Sequence, residues 1–288
     1  MSFSREVKEE LAGVTGSAGH CQKAELAAMM SLSGQYGRDS EGLYTIGFQI
    51  ENEIVIRKCF TLLEKTYNIK KNVGITEEEM QEVYRSFGDL QGTVDSRLIP
   101  KSCCRRAFLR GAFLCVGSIS DPEKGYHLEF VCTGESKARQ LQQLIQEFDI
   151  DARIVIRKKY HVVYVKEGAG IVDLLNVMGA HVSLMNLENL RILKEMRNSI
   201  NRRVNCETAN ITKTVNAASR QIEDILYLRD HYGLQKLPPA LRRMAEVRLE
   251  YPDAPLKELG QHLEPPVGKS GVNHRLRKLS ELAQQVSK

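Results

Sequence analysis

Hydrophobic and polar positions repeat in two successive halves of the chain. Apolar runs at residues 26–34 (LAAMMSLSG) and 109–117 (LRGAFLCVG) each have the character of a buried helix and each end in glycine. Each run leads towards an alternating segment, at residues 43–50 and 126–132, which is typical of a strand with one buried face. The matching order indicates an internal duplication.

The segments that follow these strands also correspond between the halves. In the first half the pattern predicts a helix over 53–67, extended segments at 69–75 and 80–87, and a short helix at 90–98. In the second half it predicts a helix over 136–148, strands at 152–157 and 161–166, and a short helix at 171–178. A first amphipathic helix, with Val7 and Leu11 inward and Ser4 as its cap, precedes both copies.

Small residues lie on one face of each apolar helix. In the second helix they are Gly111, Ala112 and Cys115, and in the first they are Ala27, Ala28, Ser31 and Ser33. Faces with so little side-chain bulk allow two helix backbones to approach closely, so we expect the two helices to pack together. The glycine that ends the second run, Gly117, suits the left-handed position that closes a helix.

Paired helices that end in glycine and lead into strands resemble the two LAGLIDADG helices of the homing-endonuclease fold. The resemblance implies an α+β fold, a duplicated αββαββα saddle whose concave sheet face receives duplex DNA. In nucleases of that family the residue before the final glycine is an acid that holds the catalytic metal. Here those positions are Ser33 and Val116, which offer no anionic oxygen. We therefore expect no metal, no catalytic residue and no enzymatic activity.

An active or residual endonuclease is the first alternative. Asp39 and Asp121 follow the two terminal glycines, but in predicted loops, where convergence on one scissile phosphate is not expected. The adjacent Cys103 and Cys104 have no further Cys or His at ligand spacing, so packing is the preferred interpretation over metal binding. Histidine and glycine spacings match no zinc or nucleotide motif, so we expect no cofactor and no small-molecule substrate.

Basic residues are concentrated in two places before the C-terminal region. Residues 191–220 hold seven Lys or Arg against two Glu. This segment is either a solvated linker helix or an arm that lies along DNA phosphates. A second cluster surrounds the start of the second apolar helix and either binds nucleic acid or is solvated: Arg97, Lys101, Arg105, Arg106 and Arg110.

The C-terminal region has the pattern of an all-α helix-turn-helix domain. Helices are predicted over 215–231, 239–251, 256–263 and 270–286, and a Pro/Gly turn joins the last two. On the last helix the apolar residues fall at i, i+4, i+7 and i+11, which predicts one buried stripe: Val272, Leu276, Leu279 and Ala283. A three-helix module that docks protein is the alternative.

The polar side of this last helix supplies the candidate DNA-binding residues. Ser270 is the predicted N-cap, and it leaves the first turn and Lys269 free to meet DNA. Asn273 and Arg277 are the candidate base readers, because Asn pairs with adenine and Arg with guanine. The candidate phosphate contacts, which position the protein without specifying sequence, are Lys269, His274, Arg275 and Lys278.

The whole arrangement resembles the WhiA family, with end signatures in residues 2–11 and 269–277. That resemblance implies a sequence-specific transcriptional regulator linked to bacterial cell division and sporulation. It implies double-stranded DNA as a partner, with another transcription regulator as a further candidate. A scaffold that senses a partner or ligand through the saddle is the second alternative to a DNA-binding regulator.

Length and composition set the remaining expectations. The 288 residues are 42% apolar and 27% charged, which is ordinary for a globular protein of two domains. No apolar run reaches the length of a membrane span and the first residues lack a signal peptide pattern, so we expect a cytoplasmic, nucleoid-associated protein without a membrane partner. The expected domains are residues 1–100 and 101–182 for the two halves, 183–215 for a basic helical linker, and 216–288 for the helix-turn-helix.

Overall fold

A computed structural model describes residues 2–71, 74–88 and 92–287, and these form two compact units, Met1–Lys194 and Glu195–Lys288. The helices of the first unit are α1 (Phe3–Gly13), α2 (Gly19–Ser33), α3 (Glu53–Tyr67), α4 (Glu77–Phe87), α5 (Ser102–Val116), α6 (Glu135–Gln146) and α7 (Gly168–Met178). Its strands are β1 (Gly34–Arg38), β2 (Tyr44–Phe48), β3 (Gly117–Ile119), β4 (Leu128–Cys132), β5 (Arg153–Arg157) and β6 (Tyr160–Val165). Helix α8 (His181–His231) begins in this unit and ends in the second.

Helices α2 and α5 pack along each other more extensively than any other pair of elements in the described residues. The two helices are in close contact at Gly111, where an added Cβ atom would lie 2.5 Å from the carbonyl oxygen of Glu25 and 3.3 Å from the Cβ atom of Ala28. A side chain at this position would therefore push the helices apart. The predicted close packing of the small-residue faces is confirmed.

The glycines that end the two helices serve a different purpose from the one predicted. Gly117 has extended backbone angles, φ −84° and ψ 151°, so the left-handed closure predicted for it is wrong. An added Cβ atom there would lie 2.4 Å from the ring of Phe113. At Gly34 a Cβ atom would lie 2.4 Å from the carbonyl oxygen of Met30. Both glycines are needed because the strand turns back tightly over the last turn of its own helix.

The second half has the predicted αββαββα order from α5 to α7, and the short strand β3, which the segment predictions did not include, completes it. Its four strands are antiparallel in the order β3-β4-β6-β5. Alternate residues on β4 and β6 are buried and belong to the core, Leu128, Phe130, Cys132, Val163 and Val165, and Val162 of β6 is buried as well. The five core residues face α5 and α6, which cover that side of the sheet. The predicted alternation between a packed and a wet face is confirmed.

The first half departs from this order after α3. Residues 80–87, predicted to be extended, belong to helix α4. The cause is local: Thr76 and Glu79 form a reciprocal capping box, and Met80, Val83 and Phe87 are buried at helical spacing. Of the segment 69–75, Ile75 forms a single antiparallel bridge with Tyr44. The first half thus contributes a two-stranded sheet, β1-β2, among the described residues.

Two smaller predictions in the first half also need correction. The short helix predicted over 90–98 is a 3₁₀ turn at Ser96–Leu98, while residues 89–91 lie outside the described residues. The cap of α1 is Ser2, whose hydroxyl accepts from the backbone N–H of Arg5, and the hydroxyl of Ser4 accepts instead from the N–H of Ile119. Val7 and Leu11 are fully buried, as predicted.

A buried group of three charges joins the helices of the first unit. The carboxylate of Glu25 on α2, fully buried, lies 2.6 Å from Nζ of Lys58 on α3 and 2.8 Å from Nη2 of Arg110 on α5. Lys58 also donates to the carbonyl oxygens of Leu11 and Val14. Burial lowers the pKa of Lys58, and the adjacent Glu25 carboxylate opposes that effect. These bonds fix α2 and α5 in register halfway along their contact.

The second unit is helical throughout its described part. It holds the later portion of α8, then α9 (Pro239–Glu250), α10 (Leu256–Gln261) and α11 (Lys269–Val286), with a 3₁₀ turn at Leu234–Lys236. The predicted helices are confirmed, except that the helix predicted over 215–231 and the segment 183–215 before it belong to one continuous helix. Ile225 and Leu228 of α8 join the core formed by α9, α10 and α11.

Candidate nucleic-acid interface

Helix α11 has one buried stripe and one exposed polar face. Val272, Leu276, Leu279 and Ala283 are buried in the core of the second unit, as their spacing predicts. The opposite face is exposed and carries most of the predicted DNA-binding residues: Lys269, Ser270, Asn273, His274, Arg277 and Lys278. Arg275 is half-buried at the edge of this face. The apolar stripe therefore determines which side chains a ligand can reach.

The start of α11 differs from the prediction by two residues. The N-cap is Gly268, and Ser270 is already the second residue of the helix, so the predicted capping role of Ser270 is wrong. The turn before the helix packs tightly on α10. An added Cβ atom at Gly260 would lie 2.0 Å from the carbonyl oxygen of Val267, whose N–H donates to the carbonyl oxygen of Gly260. This contact leaves no room for a side chain at position 260, so glycine is required there.

The two candidate base readers border a groove between α11 and α8. Asn273 and Arg277 line it from α11, and Lys213, Arg220 and Asp224 line it from α8, around a volume of about 560 Å³. Sequence reasoning counted the two cations in a basic segment but could not place them beside α11. Lys213 and Arg220 make the α8 side of the groove mainly basic. A basic surface beside a base-reading helix suits contact with a phosphate backbone.

A second cavity of about 460 Å³ continues past Asn273 towards the start of α10. Lys257 and Lys269 line it, and both are exposed to solvent. Lys257 was not among the predicted residues, because its place beside α11 depends on how α10 packs. Together these cavities surround Asn273 with cations from three helices.

Arg277 and Arg248 of this unit both have partners in the free protein, but of different kinds. Nε of Arg277 donates to Oε1 of Glu281 at 2.9 Å, an exposed i,i+4 pair that binding to a base can replace at small cost. Arg248, in contrast, is buried, and it donates to Gln221 and to the carbonyl oxygen of Ala254. Burial lowers the pKa of Arg248. This arginine holds α8 and α9 together and does not face a ligand.

In the first unit, the positions of the nuclease acids carry no charge. Ser33 is buried, and its hydroxyl donates to the carbonyl oxygen of Met29 at 2.8 Å, within its own helix. Val116 lines a cavity of about 740 Å³ in which the described charged residues are Lys8 and Glu51. Burial lowers the pKa of Lys8. This cavity presents one carboxylate, whereas metal-dependent phosphodiester cleavage needs several oxygen ligands converging on the ion.

The two displaced acids weighed in the sequence serve as turn caps. Oδ1 of Asp39 accepts the backbone N–H groups of Glu41 and Leu43, and Oδ1 of Asp121 accepts that of Glu123. Both side chains therefore stabilise their own loops.

The basic cluster predicted near the start of α5 is largely neutralised. Arg110 is buried against Glu25, Arg105 pairs with Glu147 at 2.7 Å, and Arg97 pairs with Asp95. Sequence counting could not foresee the pairs with Glu25 and Glu147, because Glu25 lies on α2 and Glu147 is the C-cap residue of α6. Of the cluster, Lys101 and Arg106 are the members without a carboxylate partner among the described salt bridges. The structure thus favours the solvated or structural interpretation for most of it.

No helix of the described chain is both long and apolar enough to span a bilayer.

Family models match successive parts of the chain. The WhiA N-terminal LAGLIDADG-like domain matches residues 19–82, and the WhiA LAGLIDADG-like domain matches residues 105–197. The WhiA C-terminal HTH domain matches residues 200–283. Their order agrees with the predicted duplication followed by a helix-turn-helix.

Known relatives resemble the chain over its whole length. It is 50% identical to the probable cell division protein WhiA of Lachnoclostridium phytofermentans and 45% identical to that of Alkaliphilus metalliredigens, over 98% of each chain in both cases. The crystal structure of full-length DUF199/WhiA from Thermatoga maritima matches it with a TM-score of 0.60 at 26% identity, covering 99% of both chains. Because these family models together match most of the chain and the relatives match its whole length, the chain belongs to the WhiA family.

Proposed function

We propose that this protein is a sequence-specific transcription regulator that reads double-stranded DNA through α11. The observation that carries the proposal is the exposed polar face of α11, which is bordered by cations of α8 and α10. Because relatives are named probable cell division proteins, we extend the proposal to genes of cell division, and through the family resemblance to sporulation. Such a regulator works in the cytoplasm, at the nucleoid.

Asn273 and Arg277 are one helical turn apart and point along the same row of α11, so both reach one major groove. Lys269, His274, Arg275 and Lys278 flank that row and contact phosphates, joined by Lys213 and Arg220 of α8. In this proposal the first unit has no catalytic role, since Ser33 and Val116 replace the nuclease acids. Another transcription regulator that contacts the first unit is a further candidate partner.

The test is selection from randomised duplex DNA by the intact protein at fixed salt with Mg²⁺ present. We expect enrichment of a defined, uncut site, and we expect Asn273→Ala and Arg277→Ala each to lose about 1–3 kcal/mol of discrimination at one base pair. The matched control is Arg243→Ala with Gln285→Ala, an exposed guanidinium and amide elsewhere on the same unit. Unchanged selection by the α11 variants would remove base reading from this helix, and cleaved DNA would restore the nuclease alternative.

Salt dependence separates phosphate contacts from base contacts. Lys278→Ala is expected to weaken binding to all sequences alike and to reduce the slope of log affinity against log salt by about 1. Lys236→Ala, an exposed lysine on the 3₁₀ turn, is the control and leaves the slope unchanged. A sequence-dependent loss in Lys278→Ala would instead make Lys278 a base reader.

A further inference from the structure

Two pairs of adjacent residues with metal-binding side chains meet where α2 and α5 begin. His20 and Cys21 lie in the first turn of α2, and Cys103 and Cys104 lie in the first turn of α5. Their four ligand atoms are all within 4.8 Å of one another. Nδ1 of His20 lies 3.3 Å from Sγ of Cys21 and 3.3 Å from Sγ of Cys104.

This spacing is that of a tetrahedral metal site. With Zn–S near 2.3 Å and Zn–N near 2.0–2.1 Å, neighbouring ligand atoms of a tetrahedron lie about 3.5–3.8 Å apart. The two nitrogen–sulfur distances are close to this value, and no separation in the group exceeds it by more than about 1 Å. We propose that one Zn²⁺ joins the first turns of α2 and α5 through a Cys₃His site formed by His20, Cys21, Cys103 and Cys104.

The local electrostatics suit the charge of such a complex. Zn²⁺ with three thiolates and a neutral imidazole carries one net negative charge. The partly positive N-terminal ends of α2 and α5 both reach this point, and each contributes roughly half a positive charge. In the described structure, neither helix has an N-cap side chain that accepts from its first turn. The metal complex therefore places a negative charge at two helix ends whose first turns have no side-chain cap.

The four side chains differ in exposure, which leaves a path for an ion. Cys21 and Cys104 are buried, whereas His20 and Cys103 are exposed, so an ion can enter from the exposed edge. Burial and the neighbouring thiols raise the pKa of Cys21 to about 11. Hydrogen bonds from the Cys21 thiol and from backbone N–H groups lower the pKa of Cys103. Metal binding displaces the protons of all three thiols, because the thiolate is the form that coordinates zinc.

The duplication explains why the four residues meet. His20 precedes Gly34 by the same number of residues as Cys103 precedes Gly117, and Cys21 and Cys104 are related in the same way. The site is therefore built from equivalent positions of the two copies. It lies at the ends of the helices opposite to Ser33 and Val116, where the nuclease acids would be. The proposal is independent of DNA reading by α11, and it departs from the sequence expectation that the chain holds no metal.

A disulfide is the alternative use of this cluster, and the structure favours zinc. A disulfide joins two sulfurs at about 2.05 Å and would leave the third thiol and the imidazole without a role. The cysteines of the described chain are all free. Zinc engages all four side chains at once.

The experiment measures bound metal in the full chain, purified under reducing conditions without chelator. We expect about one Zn²⁺ per chain by elemental analysis and native mass spectrometry. Co²⁺ in place of Zn²⁺ is expected to give thiolate charge-transfer and tetrahedral ligand-field bands. The test variant, His20→Ala with Cys103→Ser, alters the two exposed ligands and is expected to lose the metal. Its matched control, His181→Ala with Cys206→Ser, alters an exposed histidine and cysteine on α8 and keeps it.

Each outcome decides for or against the site. Metal retained by His20→Ala/Cys103→Ser, or a protein with free thiols that binds neither Zn²⁺ nor Co²⁺, overturns the proposal. A native mass lower by two hydrogens, with Cys21 linked to Cys103 or Cys104, overturns it in favour of a disulfide. If the test variant does not fold, as circular dichroism would show, the presence or absence of the Co²⁺ bands in the unaltered chain decides the question. DNA selection by the chain is read separately, so failure here leaves the DNA proposal standing.

Discussion

The two ends of the α2–α5 pair carry opposite chemistry, although the same duplication builds both. At the C-terminal ends the equivalent positions hold Ser33 and Val116, a hydroxyl bonded within its own helix and an aliphatic side chain. At the N-terminal ends the equivalent positions bring three thiols and an imidazole together. The duplication determines which positions of α2 and α5 lie next to each other. The side chains at those positions determine whether that end of the helix pair can bind a metal ion.

Between these ends, Glu25 holds the two helices in register, and its loss is expected to have the largest effect. Glu25→Gln would leave Lys58 and Arg110 buried without their carboxylate and lower the free energy of unfolding of the first unit by about 3–5 kcal/mol. Hydrogen exchange resolved by peptide measures each unit separately. The control is Glu135→Gln, an exposed i,i+4 partner of Arg139, which is expected to cost at most about 1 kcal/mol. Equal losses in both variants would contradict a central role for Glu25.

Metal addition distinguishes the two ends directly. Zn²⁺ added to the reduced, metal-free chain is expected to stabilise the first unit by about 2.7 kcal/mol when free Zn²⁺ is a hundred times its dissociation constant. Mg²⁺ is expected to have no effect, because the acid positions hold Ser33 and Val116. Calorimetry at buffered metal concentrations measures both responses, with His20→Ala/Cys103→Ser as the control. Stabilisation by Mg²⁺ would mean that other carboxylates, such as Glu51, complete a site at the C-terminal end.

Close packing at the midpoint is the next test of the comparison. Gly111→Ala places a methyl group 2.5 Å from the carbonyl oxygen of Glu25, so the helices must separate, at a cost of about 1–3 kcal/mol in unfolding free energy. Chemical denaturation followed by circular dichroism measures it. Gly13→Ala on α1, where the methyl group meets nothing within 4 Å, is the control and is expected to be neutral or slightly stabilising. An unchanged unfolding free energy in Gly111→Ala would show that α2 and α5 can accommodate a methyl group between them.

The smallest effect is expected at Ser33. Its hydroxyl donates to a carbonyl of its own helix, so Ser33→Ala is expected to change the unfolding free energy by no more than about 0.5 kcal/mol and to leave the zinc content unchanged. Ser31→Ala on the same helix removes a bond to the carbonyl oxygen of Gly92, and it is expected to cost about 1 kcal/mol. The two variants are compared by the same denaturation measurement. A larger loss at Ser33 than at Ser31 would indicate a function at the former acid position.

Some of the fold could be predicted because local pattern controls it. The buried stripe of α11 follows from the 3.6-residue period, which any amphipathic helix on a core must show. The strands β4 and β6 follow from alternation on a half-covered sheet. The same reasoning failed at α4, because the capping box at Thr76 and Glu79 outweighed the β propensity of the residues after it.

By itself, the sequence determined the duplication, the helix pair, the exposed face of α11 and the resemblance to the WhiA family. Each of these features depends only on local periodicity or on a short motif. Tertiary structure alone decided that Arg110 is buried against Glu25, that Lys213 and Arg220 border α11, and that His20 and Cys21 join Cys103 and Cys104. Spacing rules recognise ligands on one element. These side chains lie on separate helices, and only the packing of those helices brings their charges and lone pairs within a few ångströms of one another.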